Sequence, residues 1–319
     1  MATSADLPNL VLHVIISAAG LMGNTFIVAI KLINWMNQAN DLNESDVIIL
    51  SLGVTNTCLH CVSLAGTVVY VLWRHIFVLD AVFKSYFTLK IALGDSSLWF
   101  ATWLGVYYCM KIVNLTHPFY VWIKARLPKI VPWLLVGSVL VSLANSIPVG
   151  CEMDLAWTGN VSKDPSSNTS GDGAIAELRF GSGCLSMFII QVVAASVAFT
   201  LFTFSAGAII TSLNRHMKHM AQNADSSRGP HINAHLGALK TVAALLILYI
   251  SFYTSKFLLF LELFPIGSWG FVMCDILTFS FPALSAIVLI LGNSNLKKTL
   301  TRTCCHIKCR RGDGSRQIP

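Results

Sequence analysis

The chain has 319 residues, of which 55% are hydrophobic and only 12% are charged, whereas a soluble globular domain carries about 25% charged residues. This composition excludes a soluble domain, because one core of this size cannot hide so much apolar surface. The net charge of +7 does not indicate a nucleic-acid-binding protein, since the basic residues lie in gaps between apolar runs and do not form one stripe. We therefore predict a polytopic membrane protein.

Seven segments each supply the roughly 20 mostly apolar residues that a membrane span requires. No cleavable signal peptide is predicted, because the first run has no basic residue before it and is too long for a signal sequence. We predict an all-α fold, a seven-transmembrane helix bundle over residues 1–291, followed by a tail over residues 292–319. The seven segments are Leu7–Leu32, Val47–Leu72, Val82–Val113, Ile130–Val149, Cys184–Leu213, Leu236–Phe260 and Ser268–Leu291; the fourth is the shortest.

Most of the 22 Lys and Arg residues fall in the connections on one face of the predicted bundle, together with the tail. Basic residues accumulate on the cytoplasmic side of membrane proteins. We therefore predict a multi-pass protein of the cell membrane with its amino terminus extracellular and its tail cytoplasmic.

The longest predicted outer loop follows the fourth span and reads as irregular, exposed chain. It contains two N-glycosylation motifs, which begin at Asn160 and Asn168. Cys151 and Cys184 bracket this loop, and they would form a disulfide if the loop is extracellular; two unpaired thiols are the alternative.

The tail begins with a segment, Asn293–Thr303, that carries Leu296, Leu300 and a basic face. This pattern is typical of an amphipathic helix lying along the inner leaflet, with membrane lipid as its partner. Three juxtamembrane cysteines follow it, and they are either palmitoylation sites or free cytosolic thiols: Cys304, Cys305 and Cys309.

From Phe87 onward, the first half of the third span carries two ionisable residues, Lys90 and Asp95. A charge in hydrocarbon costs about 2.5 to 3.5 kcal/mol unless it faces a cavity or a partner, so this helix is predicted to lie inside the bundle. Lys90 is within one or two turns of the outer surface, and Asp95 is deeper. Five helical residues correspond to about 500°, so the two side chains point roughly 140° apart and cannot share one ligand group.

For Asp95 we expect a packing role through hydrogen bonds to neighbouring helices, with ligand or ion contact as the alternative. The candidate partners are Asn24, Asn56, Ser96 and Ser97.

Seven spans are compatible with several receptor classes, and local sequence is more specific. Three parts of the chain resemble type 2 (bitter) taste receptors, and the resemblance covers nearly the whole chain. The first part is Trp99 to Ile112 with His117-Pro118-Phe119 and Trp122 to Arg126. The second is Ser212-Leu213, His216 and Ala234-His235 with Ala238 to Val242. The third is Phe281-Pro282 to Leu289-Ile290 with Gly292-Asn293 to Leu296-Lys297-Lys298. The chain is identified as a divergent member.

Departures from the family pattern lie mostly in the outer half. Asn56 stands where the family usually has Arg, Ala198 replaces a usual Pro, and Phe252 replaces a common Tyr. Lys90 and Gly94 stand where many members have Trp and Asn.

The resemblance implies a pocket for small bitter compounds between the third, fifth, sixth and seventh spans. In that arrangement Lys90 and Asp275 point into the outer cavity at similar depth, and we predict that they form an ion pair; the alternative is that Lys90 extends to the outer headgroups. The expected ligand-binding residues are Lys90, Gly94, Phe188, Phe252, Tyr253, Lys256 and Asp275. Further aromatic residues would complete the cavity or belong to an interfacial belt: Trp73, Tyr86, Phe257 and Trp269.

The resemblance also implies that the inner face docks a heterotrimeric G protein, gustducin-like in taste cells. The alternative role for these basic residues is orientation and contact with anionic lipid. The expected G-protein contacts are Lys111, His117, Pro118, Lys124, Arg126, Arg215, His216, Lys218, His235 and Lys240.

No catalytic, metal-binding or cofactor motif is visible, so we predict neither an enzyme nor a bound cofactor. Three alternatives stay open: another rhodopsin-like or vomeronasal-type receptor for small molecules, a channel or transporter with a polar path through Lys90, Asp95 and Asp275, and a membrane hydrolase using Asp95 and Asp275.

Overall fold

The computed structural model describes residues 6–37, 43–113, 118–158, 175–180, 184–222, 229–261, 263–264, 268–293 and 295–303. These residues form long helices and one short ribbon. The helices are α1 (Asp6–Asn37), α2 (Glu44–Leu72), α3 (Arg74–Phe77), α4 (Asp80–Ile112), α5 (Pro118–Glu152), α6 (Cys184–Gln222), α7 (Gly229–Phe260), α8 (Trp269–Gly292) and α9 (295–303).

Successive long helices run up and down, so the bundle has two distinct ends. We call the end at which α1 begins the ribbon end, because it carries a two-stranded antiparallel ribbon of β1 (Met153–Thr158) and β2 (Ile175–Phe180). The opposite end carries α9 and is called the tail end. The predicted irregular loop therefore has ordered strands at its two ends, while Asn160 and Asn168 lie outside the described residues.

Helix α4 occupies the centre of the bundle, where it packs against α2, α5 and α6. Within the described residues, six helices are long and apolar enough to cross a membrane, namely α1, α2, α5, α6, α7 and α8. Helix α4 has 33 residues and sufficient length, but its polar and charged side chains lower its hydropathy. Those side chains are tolerated because neighbouring helices surround α4.

The fourth predicted span was wrong in its length. Helix α5 has 35 residues and contains Pro128, Pro132 and Pro148, whereas the sequence predicted the shortest span, starting at Ile130. Pro118, which was expected in a loop, is the first residue of the helix, where the missing N–H of proline costs nothing. Internal prolines are tolerated in bundled membrane helices because neighbouring groups satisfy the freed backbone carbonyls.

Two helix starts at the ends of the bundle are fixed by side-chain caps. The Ser268 hydroxyl accepts a hydrogen bond from the Phe271 amide at 3.3 Å at the start of α8. The Asn293 side-chain oxygen accepts bonds from the amides of Asn295 at 3.0 Å and Leu296 at 3.2 Å at the start of α9. Such caps satisfy amides that have no partner within the helix.

The largest buried cluster lies toward the tail end and joins α1, α2, α4, α5 and α8. Leu296 of α9 is 1% exposed and belongs to this cluster, so α9 is packed against the bundle. A second cluster, around Tyr249 and Phe202, joins α4, α6, α7 and α8. The ribbon end has a different character, because charged side chains enter the bundle there.

Candidate ligand site

Asp95 joins three helices in the ribbon half of the bundle. Its side chain is buried, with 5% of the residue exposed. The Lys256 ammonium of α7 donates to one carboxylate oxygen at 2.6 Å, and the Gln191 amide of α6 donates to the other. Each oxygen therefore has a donor, which a buried carboxylate requires. The predicted packing role has different partners from those expected: Lys256 and Gln191 take the place of Asn24, Asn56 and Ser97.

Three of the four expected partners of Asp95 form a separate network, and the fourth, Ser96, donates to the Ala92 carbonyl at 2.8 Å. Ser97 donates to Asn56 at 2.6 Å, Asn56 donates to Asn24 at 3.3 Å, and Asn24 donates to the carbonyls of Gly20 and Pro282 at 2.8 and 3.2 Å. This network connects α1, α2, α4 and α8. Its hydrogen bonds satisfy the buried side-chain amides around Asn56, the α2 position at which the family usually has Arg.

Asp275 is paired with a residue that the sequence did not indicate. The His13 Nε2 atom of α1 lies 3.0 Å from the Asp275 carboxylate. Lys90 attracts the same carboxylate electrostatically, but its ammonium lies over the rings of Phe279, at 5.7 Å, and Tyr86, at 6.0 Å. The predicted Lys90–Asp275 ion pair is therefore replaced by His13–Asp275. His13 could not be found by pairing basic with acidic residues in the sequence, because a neutral imidazole also donates a hydrogen bond.

An open space adjoins Gly94 on the inward face of α4. A Cβ atom added at Gly94 would meet no heavy atom within 4 Å. At 100° per residue, Gly94 points 40° from Lys90, which contacts α8, and 100° from Asp95, which contacts α7. Gly94 therefore faces the sector of α4 between its contact with α8 and its contact with α7, one turn deeper than Lys90.

Aromatic side chains of α7, about one turn from Lys256, pack against aromatic side chains of α6 and α8. Tyr253 donates to or accepts from the Ser196 hydroxyl at 2.6 Å and stacks on Phe199 with ring centroids 4.3 Å apart. Phe252 packs against Phe281 at 4.8 Å. These contacts give the site an apolar wall, which is typical of small-molecule sites.

Two of the aromatic residues expected to complete the cavity point elsewhere. Trp73 is 48% exposed and Trp269 is 84% exposed. Their exposed rings suit the membrane interface, where Trp concentrates. The Phe188 side chain lies outside the described part of the chain.

A hydrogen-bonded contact lies one to two turns below Asp95 and joins the same helices. The hydroxyls of Thr102 on α4 and Tyr249 on α7 are 2.8 Å apart, and the Thr102 hydroxyl also lies 3.4 Å from the Ala198 carbonyl of α6. Tyr249 is fully buried and stacks on Phe202 at 4.2 Å.

A second space in the bundle lies toward the tail end and is apolar. It is lined by Leu104, Gly105, Phe202, Ile209 and Val242 among others, and no charged residue borders it. The ribbon-end space is therefore the better candidate for a ligand that needs a polar anchor.

The tail end presents the basic residues that were expected to contact a partner. Those whose side chains the structure describes are all exposed: Lys111, Lys124, Arg126, Arg215, Lys218 and Lys240. Pro118 is exposed at the start of α5. His216 and His235 lie in α6 and α7, but their side chains, and all of His117, lie outside the described part.

The described cysteines are free thiols. Cys151 is an exposed free thiol at the end of α5, so the predicted bond to Cys184 is not formed in the structure. Cys304, Cys305 and Cys309 lie outside the described residues. Within the described residues, no three side chains of His, Cys, Asp or Glu come together as a metal site would require.

Comparison with known proteins identifies relatives over almost the entire chain. The family model for taste receptor protein (TAS2R) matches residues 1–308. The chain is 32% identical over 304 residues to taste receptor type 2 member 9 of Papio hamadryas, covering 91% of this chain and 90% of the relative. It is 31% identical to the Homo sapiens protein of the same name, covering 91% of each. Taste receptor type 2 member 119 of Rattus norvegicus is 30% identical, covering 91% of this chain and 82% of the relative.

Proposed function

Because the chain belongs to the type 2 taste receptor family, we propose that its agonists bind in the ribbon half of the bundle. Membership of this family makes the chain a bitter taste receptor of the G-protein-coupled class and not an enzyme. The predicted seven-helix fold class is confirmed on the same basis. The proposal assigns the agonist to the space between α4, α7 and α8. Its contacts would be Lys90, Gly94, Phe252, Tyr253, Lys256 and Asp275, with Phe188 as a further candidate.

The observation that carries this proposal is the contact of Asp95 with Lys256 and Gln191 beside an open space. Three helices meet there through one polar contact, and the neighbouring walls are apolar. An agonist that touches Lys256 or the face of α4 changes the relative energies of these helix positions. The resulting shift in conformation cannot exceed the difference in agonist affinity between the two states.

We propose further that the ribbon end is extracellular and the tail end cytoplasmic. The exposed cations at the tail end support this orientation, since basic residues concentrate on the cytoplasmic side. The same cations, from Lys111 to Lys240, would receive a gustducin-like heterotrimeric G protein. Asn160 and Asn168 would then be glycosylation sites, and Cys304, Cys305 and Cys309 palmitoylation sites beside α9.

The test is a calcium assay in cells that express the full chain together with a gustducin-like α subunit. A panel of bitter compounds should contain agonists whose response requires both the receptor and the matched α subunit. Cells with the receptor alone and cells with the α subunit alone are the controls. A response that does not require the α subunit would favour a channel and would contradict the proposal.

Epitope tags test the orientation independently. A tag at the amino terminus should stain intact cells, and a tag after Pro319 should stain only permeabilised cells. Staining of both tags on the same side would contradict the seven-span arrangement.

A further inference from the structure

The ribbon-half site contains one cation that has no carboxylate of its own. Lys256 is paired with Asp95 at 2.6 Å. Lys90 has no ion pair among the described residues, and Asp275, which attracts it electrostatically, is bound by His13 at 3.0 Å. The contacts that hold the Lys90 ammonium in place are the rings of Phe279 and Tyr86.

The two carboxylates of this half of the bundle already have donors, Asp95 at both oxygens and Asp275 at one. Asp95 accepts from Lys256 and Gln191, and Asp275 accepts from His13. A cationic ligand would have to compete with these donors. An anionic ligand would instead meet an ammonium group with unused donors, because the ammonium group has three N–H bonds and rings supply no acceptor oxygen.

The position of Lys90 relative to the open space defines the shape of such a ligand. Lys90 and Gly94 are one turn apart on nearly the same face of α4, and Lys90 is closer to the ribbon end. Phe279 of α8 packs against the Lys90 ammonium at 5.7 Å, and Phe252 of α7 packs against the Lys256 ammonium at 5.9 Å. A molecule with its charge toward the ribbon end and its apolar part beside Gly94 fits this order.

We propose that Lys90 binds the carboxylate of an acidic agonist whose remaining body is apolar and aromatic or aliphatic. This inference rests on the proposed function, since it names the ligand class of the same site. Lys90 is then the residue that selects acids over their neutral analogues. The selection is worth about tenfold or more in potency, as expected for a hydrogen bond to a charged group in a partly buried site.

Matched acids and esters test the selection. The probes are phenylacetate, 4-phenylbutyrate and 6-phenylhexanoate, each with its methyl ester, applied to cells that express the full chain and the α subunit. At least one acid should activate the wild-type receptor with a half-maximal concentration about tenfold or more below that of its ester. Equal potency of every acid and its ester would overturn the inference.

Substitutions test whether Lys90 is the residue that causes the preference for acids over esters. Lys90→Gln should abolish the preference for the acid, and Lys90→Arg should keep it. Lys90→Glu should favour 4-phenylbutylamine over 4-phenylbutyrate. Lys84→Gln is the matched control, because Lys84 lies on the same helix and is paired with the exposed Asp80, and it should leave the preference unchanged. A preference that survives Lys90→Gln but disappears in Lys256→Gln would refute the assignment.

Surface staining and the response to a neutral panel agonist separate loss of selection from loss of folding. If Lys90→Gln responds to the neutral agonist but no longer distinguishes acid from ester, the inference is supported. If neutral compounds activate the wild type and acids show no advantage, this inference fails and the proposed function stands. If no compound produces a response that depends on the α subunit, the proposed function fails and this inference fails with it.

Discussion

Asp95 combines deep burial with an ion pair, and the two properties depend on each other. A carboxylate in a low-dielectric interior is tolerated only with a close cation and donors for both oxygens. Lys256 satisfies the first condition while keeping 30% of its side chain exposed. The pair is therefore partly accessible at Lys256 and enclosed at Asp95.

Removing one member of this pair should be worse than removing both. Lys256→Met leaves the Asp95 charge without its cation, and we expect a loss of stability of about 3 kcal/mol, at the lower end for a buried pair because Lys256 is partly exposed. Asp95→Asn with Lys256→Met should recover most of that loss. Thermal unfolding in detergent and surface staining measure both effects.

The matched control for this comparison is Asp80→Asn, which removes a carboxylate from the exposed Asp80–Lys84 pair on the same helix. Exposed pairs contribute at most about 1 kcal/mol, so little change is expected. A double variant less stable than Lys256→Met alone would show that the contact is not a stabilising ion pair.

At the scale of single residues, the sequence predicted how deep Asp95 lies in the bundle better than it predicted which residues Asp95 contacts. The position of Asp95 along α4, and its angular separation from Lys90, followed from helix geometry alone. Its partners did not, because Lys256 and Gln191 lie on helices whose rotation about their own axes depends on packing. His13 was missed for the same reason, since it reaches Asp275 only after α1 and α8 come into contact.

Helices α1 and α2 approach closely because small residues lie between them. A Cβ atom at Gly20 would lie 2.0 Å from Nε2 of His60, whose side chain is completely buried. The imidazole cannot move away without displacing Phe279, which packs against its ring with centroids 5.8 Å apart. Gly94, by contrast, faces open space. The two glycines therefore differ in what surrounds them.

Gly20→Ala should destabilise the receptor by about 1 to 3 kcal/mol, the cost of inserting a methyl group into a packed interior. Gly94→Ala is the control, and it should be neutral or stabilising by up to about 1 kcal/mol because Ala favours the helix. Both are compared by thermal unfolding and by surface level. A stable Gly20→Ala together with an unstable Gly94→Ala would contradict the described packing.

At the scale of elements, the existence and order of the helices were predictable, and their ends less so. Apolar runs located the spans, but α5 extends from Pro118 through Lys124 and Arg126, where basic residues suggested a loop. Charged side chains at the end of a membrane helix extend into the interface and leave the backbone helical. The side chain of Trp269 shows a related difficulty. Its hydrophobicity alone did not indicate whether the ring faces the lipid or the inside of the bundle.

The two ends of the bundle differ in where their charged side chains lie. At the ribbon end, charges enter the interior and are paired or held by rings. At the tail end, cations stand on the surface, while the buried contact of Lys31 with Asp46 joins α1 to α2. Between them, Thr102 and Tyr249 connect α4 to α7. A ligand and a G protein would thus act on the same helices from opposite ends.

Charge reversal at the tail end tests this arrangement as a whole. Lys218→Glu and Lys240→Glu lie on α6 and α7, and each should lower signalling by about two- to fivefold, because an exposed contact contributes at most about 1 kcal/mol. Surface level should stay unchanged, since neither side chain is buried. The same reversal at the ribbon end, Lys84→Glu, should leave the response intact. If it reduced signalling as strongly as the two tail-end reversals at equal surface level, the tail end would not be the docking face.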